Sequence, residues 1–178
     1  KYCSKLGYIA HFIPDAIDFD ELPKNIDRQY EKQIIYVGRL SKEKGILQLL
    51  EICKKLPLDI HLLILGTGPE EKKIKQLSSM SQNVHYLGYQ PKEKTIPLIR
   101  GSDILIQPSL MEGGINTTIL EAMACNTSIL ATLLEDQKDV LRHMDTAFCI
   151  NPKSTSEFLK GIFELMNDSI LRSNLSKN

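Results

Sequence analysis

Short apolar runs alternate with amphipathic segments over most of this chain of 178 residues. Most of the runs end at glycine or proline, which is typical of buried strands in a parallel sheet. The segments between the runs repeat their apolar residues at helical spacing. The predicted strands are residues 34–37, 60–65, 84–87, 104–107, 129–132 and 147–150. Because strand and helix alternate about six times over residues 34–166, we predict an α/β fold, a Rossmann-like parallel sheet with helices on both faces.

Helix boundaries are predicted from capping residues and breakers. Ser41 is expected to cap the first helix and to place residues 44–45 in its first turn. Asn116 or Thr117 is expected to cap a later helix, which Asn126 ends because Asn tolerates left-handed geometry. Further helices are expected at residues 70–80, 92–100, 139–143, 156–166 and 168–178. A short strand is expected at residues 8–13.

Composition excludes several classes of function. Lys plus Arg and Asp plus Glu number 22 each, so no basic surplus points to nucleic acid or to an anionic membrane. No apolar run approaches the ~20 residues of a spanning helix, and no signal peptide is visible. The cysteines, Cys3, Cys53, Cys125 and Cys149, lie far apart and outside any Cys/His cluster. We therefore expect a reducing compartment and no metal site.

Candidate chemistry lies in the loops that follow the predicted strands, since the carboxyl ends of parallel strands share one edge of a sheet. Arg39 and Lys44 stand near a helix start, where cations oppose the helix dipole, so an anionic ligand would explain them. A solvated basic turn is the alternative. Gly66 and Gly68 suit close approach of a ligand to the backbone, although a plain tight turn needs them equally. Tyr89 offers a ring for a nucleobase, whereas packing at the rim of the core is the commoner fate of a lone tyrosine.

Residues 104–132 read as a strand–loop–helix–strand unit that carries two acids. Glu112 precedes Gly113 and Gly114 in the loop, and Glu121 follows in the early turns of the helix. Free N–H groups at a helix start favour an anion, and ionised carboxylates accept hydrogen bonds from sugar hydroxyls. The alternative is an ordinary crossover whose acids are only solvated.

Four motifs occur in an order that resembles a known family: GRLSKEKG, LILGTGPE, VHYLGY and SDILIQPSLMEGGINTTILEAMACNTSILAT. They are similar to the carboxyl-terminal, donor-binding domain of the family-4 retaining glycosyltransferases, the group 1 enzymes of the GT-B fold. HFIPDAIDF at residues 11–19 also resembles the hinge between the two domains of that family. The resemblance implies a hinge or linker at 1–33, a donor-binding domain at 34–166 and the start of a C-terminal helix at 167–178.

The resemblance also assigns roles to individual residues. Arg39 and Lys44 match the cations that contact the donor diphosphate and stabilise the leaving nucleotide. Glu112 matches the acid that faces the donor sugar, and Glu121 the acid that binds the ribose hydroxyls. Tyr89 matches a position beside the base. The remaining donor-binding positions are Gly38, Gly66, Gly68, Gly113, Gly114, Ile115, Asn116 and Thr117.

Three segments depart from the family pattern, and in one of them Asn126 and Ser128 replace the usual Gly and Pro of a turn. Eight residues separate Glu112 from Glu121, where the family has seven. Either the loop bulges by one residue, or Gly113 takes the place of the acid. Residues 133–139 lack the usual Gly-Gly pair, although Asp139 can stand in for the glutamate that follows it in the family.

We therefore predict the donor half of a retaining glycosyltransferase in polysaccharide biosynthesis, with a nucleotide-diphospho-sugar as donor and no metal or other cofactor. The acceptor sugar or lipid is expected to bind a missing N-terminal domain, so this fragment alone should be inactive. Membrane association is expected only through that missing half, and the location is cytoplasmic or peripheral at the inner membrane face. A sugar-nucleotide epimerase of the same architecture and a non-catalytic nucleotide- or sugar-binding module are the alternatives.

Overall fold

One parallel sheet forms the centre of the protein. The computed structural model describes residues 16–20, 22–152 and 154–177, so the strand predicted at residues 8–13 lies outside the described residues. The strands are β1 Gln33–Val37, β2 His61–Leu65, β3 Val84–Gly88, β4 Ile104–Gln107, β5 Ser128–Thr132 and β6 Phe148–Ile150. They lie in the order β3-β2-β1-β4-β5-β6, and every neighbouring pair is parallel. The predicted Rossmann-like sheet is confirmed.

Helices cover both faces of this sheet. They are α1 Ile46–Cys53, α2 Glu71–Met80, α3 Lys92–Arg100, α4 Thr117–Ala124, α5 Thr155–Asn167 and α6 Ser169–Lys177. Alternate strand residues point to opposite faces. Ile34 and Ile64 pack with α1, α2, α5 and α6 in one buried cluster, whereas Ile35 and Leu105 pack with α3 and α4 in a second. Each face therefore has its own apolar core.

The strand order reverses at the boundary between β1 and β4. From β1 the chain steps outward through β2 to β3, and α3 then carries it back across the sheet to β4. The helices on the two sides of this boundary, α1 and α4, lie on opposite faces. A crevice therefore opens at the carboxyl ends of β1 and β4, which is where open α/β sheets bind ligands.

The predicted start of the first helix is wrong by several residues. Ser41 does not cap it, because α1 begins at Ile46, after Gly45 in the left-handed conformation with a φ of 72°. Residues 41–45 form a turn in which the Gly45 amide donates to the Lys42 carbonyl at 3.0 Å. A Cβ at Gly45 would overlap the carbonyl of Pro108. This contact with the β4 end, rather than local capping, fixes where the helix begins.

The short helix predicted at residues 139–143 is also wrong, since these residues form a turn and a bridge. A 3₁₀ turn lies just before them at Glu135–Gln137. The Thr146 hydroxyl accepts from the Arg142 amide at 2.9 Å and donates to the Val140 carbonyl at 2.6 Å. These bonds occupy backbone groups that a helix would need.

Two histidines lie edge to edge between β2 and β3. His61 Nδ1 and His85 Nε2 are 3.0 Å apart, and their rings, with centroids separated by 5.3 Å, are tilted by only 12°. This is the geometry of one N–H···N hydrogen bond between nearly coplanar rings. The Tyr30 ring stacks on both, with centroid distances of 3.9 Å to His61 and 4.6 Å to His85. Since an imidazolium ring has only donors, the bond requires at least one neutral ring.

We expect this pair to make the stability of the chain depend on pH. Burial, and then the neighbouring His61, lower the pKa of His85, so folding favours its neutral form. The stability contributed by His85 is therefore present above the unfolded pKa of about 6.5 and is lost as the pH falls through the lower folded value. Urea unfolding between about pH 5 and pH 8 measures this loss of stability. In His85→Gln, the free energy of unfolding should change less with pH than in the wild type. A wild-type pH dependence of stability in His85→Gln would contradict the assignment.

Candidate active site

A groove at the carboxyl ends of β1, β2 and β3 brings together five of the predicted donor-binding residues. Its volume is about 480 Å³, within the usual range for small-molecule sites. The five are Gly38, Arg39, Gly66, Gly68 and Tyr89, and the lining is completed by Val37, Leu65, Thr67, Gln90 and Thr95. The Arg39 and Tyr89 side chains are exposed at its rim, and Tyr89 is 74% accessible. The groove therefore combines an exposed cation and an exposed aromatic ring with walls of backbone.

Backbone contacts between two loops form the floor of the groove. Gly66 has a φ of 129°, and a Cβ there would overlap the Gly38 carbonyl. The Leu40 amide donates to the Thr67 carbonyl at 2.9 Å, and the Glu70 amide donates to the Leu40 carbonyl at 2.9 Å. The loops after β1 and β2 are thus joined tightly, and a ligand can approach main-chain atoms directly.

Side-chain hydrogen bonds to the backbone hold the third loop, which carries Tyr89. Gln90 Nε2 donates to the Leu87 carbonyl at 2.7 Å, and the buried Thr95 hydroxyl donates to the Gln90 carbonyl at 3.1 Å. The sequence does not single out Gln90 or Thr95 as residues of the groove. Residues of these types inside a helix-start pattern carry no signal that separates them from ordinary surface residues.

The predicted catalytic residues Lys44 and Glu112 meet in the crevice between β1 and β4. Lys44 Nζ forms an ion pair with Glu112 Oε2, and Asn116 Nδ2 donates to Glu112 Oε1 at 3.3 Å. The Glu112 side chain is only 5% exposed, whereas that of Lys44 is 26% exposed. A carboxylate this deeply placed is tolerated because both of its oxygens have donors.

Tyr36 links this ion pair to the groove. Its hydroxyl donates to the Arg39 carbonyl at 3.0 Å. Burial first, and then the nearby Glu112 carboxylate, raise the pKa of Tyr36. The phenol therefore stays protonated and holds the backbone of Arg39 beside the crevice.

The glycine loop between Glu112 and α4 is open. A Cβ added at Gly113 or Gly114 would meet no atom within 4 Å. The Asn116 side chain accepts from the Thr118 amide at 2.9 Å, so Asn116 rather than Thr117 caps α4. Ile115 is half-buried and Thr117 is exposed. The loop thus has room for one residue more than the family pattern while Glu112 contacts Lys44.

Glu121 lies on α4, away from the Lys44–Glu112 pair. It is half-buried, and burial raises its pKa while Lys92 opposes that change. Lys92 is the first residue of α3, two positions after Gln90 in the groove wall. Glu121 is therefore placed on the groove side of the crevice. The helix ends as predicted, because Asn126 has a φ of 55°.

Two further predictions concern absences. Within residues 16–20, 22–152 and 154–177, no three His, Cys, Asp or Glu side chains are grouped as a metal ion would need. None of the helices in that part of the chain has the length and apolar character to cross a membrane.

Cys53, Cys125 and Cys149 are buried free thiols, and burial raises the pKa of Cys149 to about 11.

Comparison with known proteins agrees with this geometry. The family model for glycosyl transferases group 1 matches residues 18–178. An uncharacterised glycosyltransferase of Methanocaldococcus jannaschii is 28% identical over 163 residues, which cover 87% of this chain and 42% of the relative. The chain spans less than half the length of the relatives that it matches.

Solved structures share the fold. The C-terminal domain of a group 1 glycosyl transferase family protein from Francisella tularensis has a TM-score of 0.75 at 23% identity, with coverage of 92% of this chain and 94% of that domain. The S. aureus TarM complex with fondaparinux, alpha-GlcNAc-glycerol and UDP has a TM-score of 0.77 at 20% identity, with coverage of 90% and 33%. The chain therefore belongs to the group 1 glycosyl transferases and has the fold of their carboxyl-terminal GT-B domain.

Proposed function

We propose that this chain binds a nucleotide-diphospho-sugar and presents it for retaining glycosyl transfer. The observation that carries the proposal is the position of the Lys44–Glu112 ion pair, which lies beside the groove at the point where the strand order reverses. A cation next to a nearly buried carboxylate suits a ligand in which a diphosphate is joined to a polyhydroxylated ring.

Each part of the donor has a matching part of the site. The base and ribose would lie in the groove, beside Tyr89 and Glu121, and the diphosphate would lie near Arg39 and Lys44. The sugar would then face Glu112. As the bond from the anomeric carbon to the diphosphate oxygen breaks, negative charge grows on the diphosphate, and preorganised cations lower the energy of that state. The sugar ring gains positive charge in the same step, and the Glu112 carboxylate can stabilise it.

The acceptor and the location belong to the same proposal. An acceptor sugar or lipid would bind a second, N-terminal domain, and closure of the two domains would exclude water from the cleft. Without that domain the chain would bind donor but transfer little sugar. The TarM structure, which shares this fold, is a complex with UDP, and this supports a nucleotide ligand. The protein would act in the cytoplasm, with any membrane contact at the inner face made by the N-terminal half.

Calorimetric titration of the full-length protein with UDP, GDP and ADP tests the donor site. We expect one nucleotide to bind clearly better than the others, because base, ribose and diphosphate have separate places. Arg39→Gln should weaken that binding about tenfold by removing a charge-assisted hydrogen bond. Lys42→Gln is the matched control, since Lys42 is an exposed cation of the same loop that lines no part of the groove.

Two results would contradict the proposal. If the full-length protein binds none of the three nucleotides, the proposed donor site is wrong and a non-catalytic module is favoured. If the bound donor sugar is converted to its epimer when no acceptor is present, the protein is an epimerase of the same architecture.

A further inference from the structure

The loop after β5 contacts the glycine loop of the donor site. The Gly114 amide donates to Asp136 Oδ2 at 3.1 Å, across 22 positions of sequence. Asp136 is exposed, and its Oδ1 has no hydrogen-bonding partner among the residues that the structure describes. The adjacent acid, Glu135, is instead paired with Lys138 at 2.6 Å and does not contact the glycine loop.

Asp136 is presented by an anchored turn. It lies in the 3₁₀ turn Glu135–Gln137, whose last residue is only 2% exposed. The Gln137 carbonyl accepts from the amides of Val140 and Leu141, at 3.0 Å and 2.8 Å. With Gln137 fixed in the interior, the preceding side chain is held at the surface against the glycine loop.

The position of Gly114 brings Asp136 close to the place where the donor sugar would lie. Gly114 follows Glu112 by two residues, and an extended chain spans at most about 3.6 Å per residue, so their Cα atoms lie within about 7 Å. A ring that faces Glu112 therefore lies within reach of groups at Gly114. Asp136 lies within residues 133–139, the segment that lacks the Gly-Gly pair usual in the family.

We propose that Asp136 determines which donor sugar the site accepts, by accepting a hydrogen bond from a hydroxyl or ammonium group of the sugar and by disfavouring sugars that carry a carboxylate. The inference rests on the proposed function, since it requires a donor sugar beside Glu112. An ionised carboxylate offers only acceptors, so it suits hydroxyl and ammonium donors. A second carboxylate placed opposite it is repelled and has no hydrogen to share.

The test compares two donors that differ only at carbon 6 of the sugar. Calorimetry on the full-length protein would measure binding of UDP, UDP-glucose and UDP-glucuronate, or of GDP, GDP-mannose and GDP-mannuronate if the protein prefers guanine. Wild type should bind the neutral sugar donor about tenfold more tightly than the uronate. Asp136→Asn should bring the two affinities close together and leave binding of the bare nucleotide unchanged. Glu135→Gln removes a neighbouring charge and should keep the wild-type ratio.

The other possible outcomes contradict either the role of Asp136 or the proposed function itself. An unchanged ratio in Asp136→Asn, with normal binding of the bare nucleotide, overturns the role of Asp136 and leaves the donor site intact. Weaker binding of the bare nucleotide in Asp136→Asn means that Asp136 only holds the loop, which also overturns it. If wild type binds no nucleotide, the proposed function fails, and the role of Asp136 fails with it.

Discussion

Replacing Lys44 by methionine should lower glycosyl transfer by the full-length protein about a hundred- to thousandfold. Methionine retains much of the length of the lysine stem but has no charge to stabilise the diphosphate as it leaves. Initial rates over a range of donor concentrations measure the effect, and the loss should appear mainly in kcat because charge on the diphosphate is greatest in the transition state. Lys42→Met changes an exposed lysine of the same loop and should leave the rate unchanged.

The same substitution leaves Glu112 without its cation, so stability must be separated from chemistry. Since Glu112 is 5% exposed and Lys44 is partly in solvent, Lys44→Met should lower the free energy of unfolding by about 2 kcal/mol. Adding Glu112→Gln removes the unpaired charge and should restore most of that stability. The double variant should still transfer no more sugar than Lys44→Met. If Lys44→Met keeps the wild-type kcat under conditions in which it is folded, the proposed role of Lys44 at the diphosphate is wrong.

Replacing Gly45 by alanine should strongly destabilise the protein. The left-handed φ of 72° disfavours any side chain, and a Cβ would overlap the carbonyl of Pro108. The loops after β1 and β4 would have to separate, because the obstacle is backbone rather than a flexible side chain. We expect a loss of about 3 kcal/mol in the free energy of unfolding and a fall in Tm of about 6 to 12 °C.

Gly113→Ala provides the matched control for this effect. It adds the same methyl group to a loop of the same site, where no atom lies within 4 Å of the new Cβ. Urea unfolding of both variants should therefore show a loss confined to Gly45→Ala, with Gly113→Ala within about 0.5 kcal/mol of wild type. Equal losses would mean that the contact with Pro108 does not determine the position of Gly45.

The sequence predicted correctly those parts of the fold that depend on interactions between residues close together in the chain. The strand at Ile104–Gln107, the helix end at Asn126 and a cap at Asn116 or Thr117 all depend on side chains within a few residues. The strand and the helix end are confirmed, and the cap is Asn116. The first helix depends on a distant contact, because Gly45 must pass the backbone of Pro108. Capping preference at Ser41 therefore gave the wrong start.

In the candidate site, too, the individual residues could be predicted from the sequence, whereas the contacts between distant residues could not. The family motifs singled out Lys44 and Glu112 separately, but nothing in the sequence says that residues 68 positions apart form an ion pair. That pairing arises from the sheet order, which places the ends of β1 and β4 side by side. The contact of Asp136 with Gly114 has the same origin, since it joins loops from two neighbouring strands.

The loop before α4 is open at Gly113, whereas Gly114 has a φ of 139° and donates its amide to Asp136 Oδ2 at 3.1 Å. Side chains of different size can therefore be placed at Gly113 without moving the sheet, because the ends of the loop are held at Glu112 and at the Asn116 cap. The turn at residues 41–45 tolerates no such exchange, because its backbone is packed against the end of β4. Within this scaffold, the tolerant position thus lies beside the proposed place of the sugar, and the rigid turn lies beside the proposed place of the diphosphate.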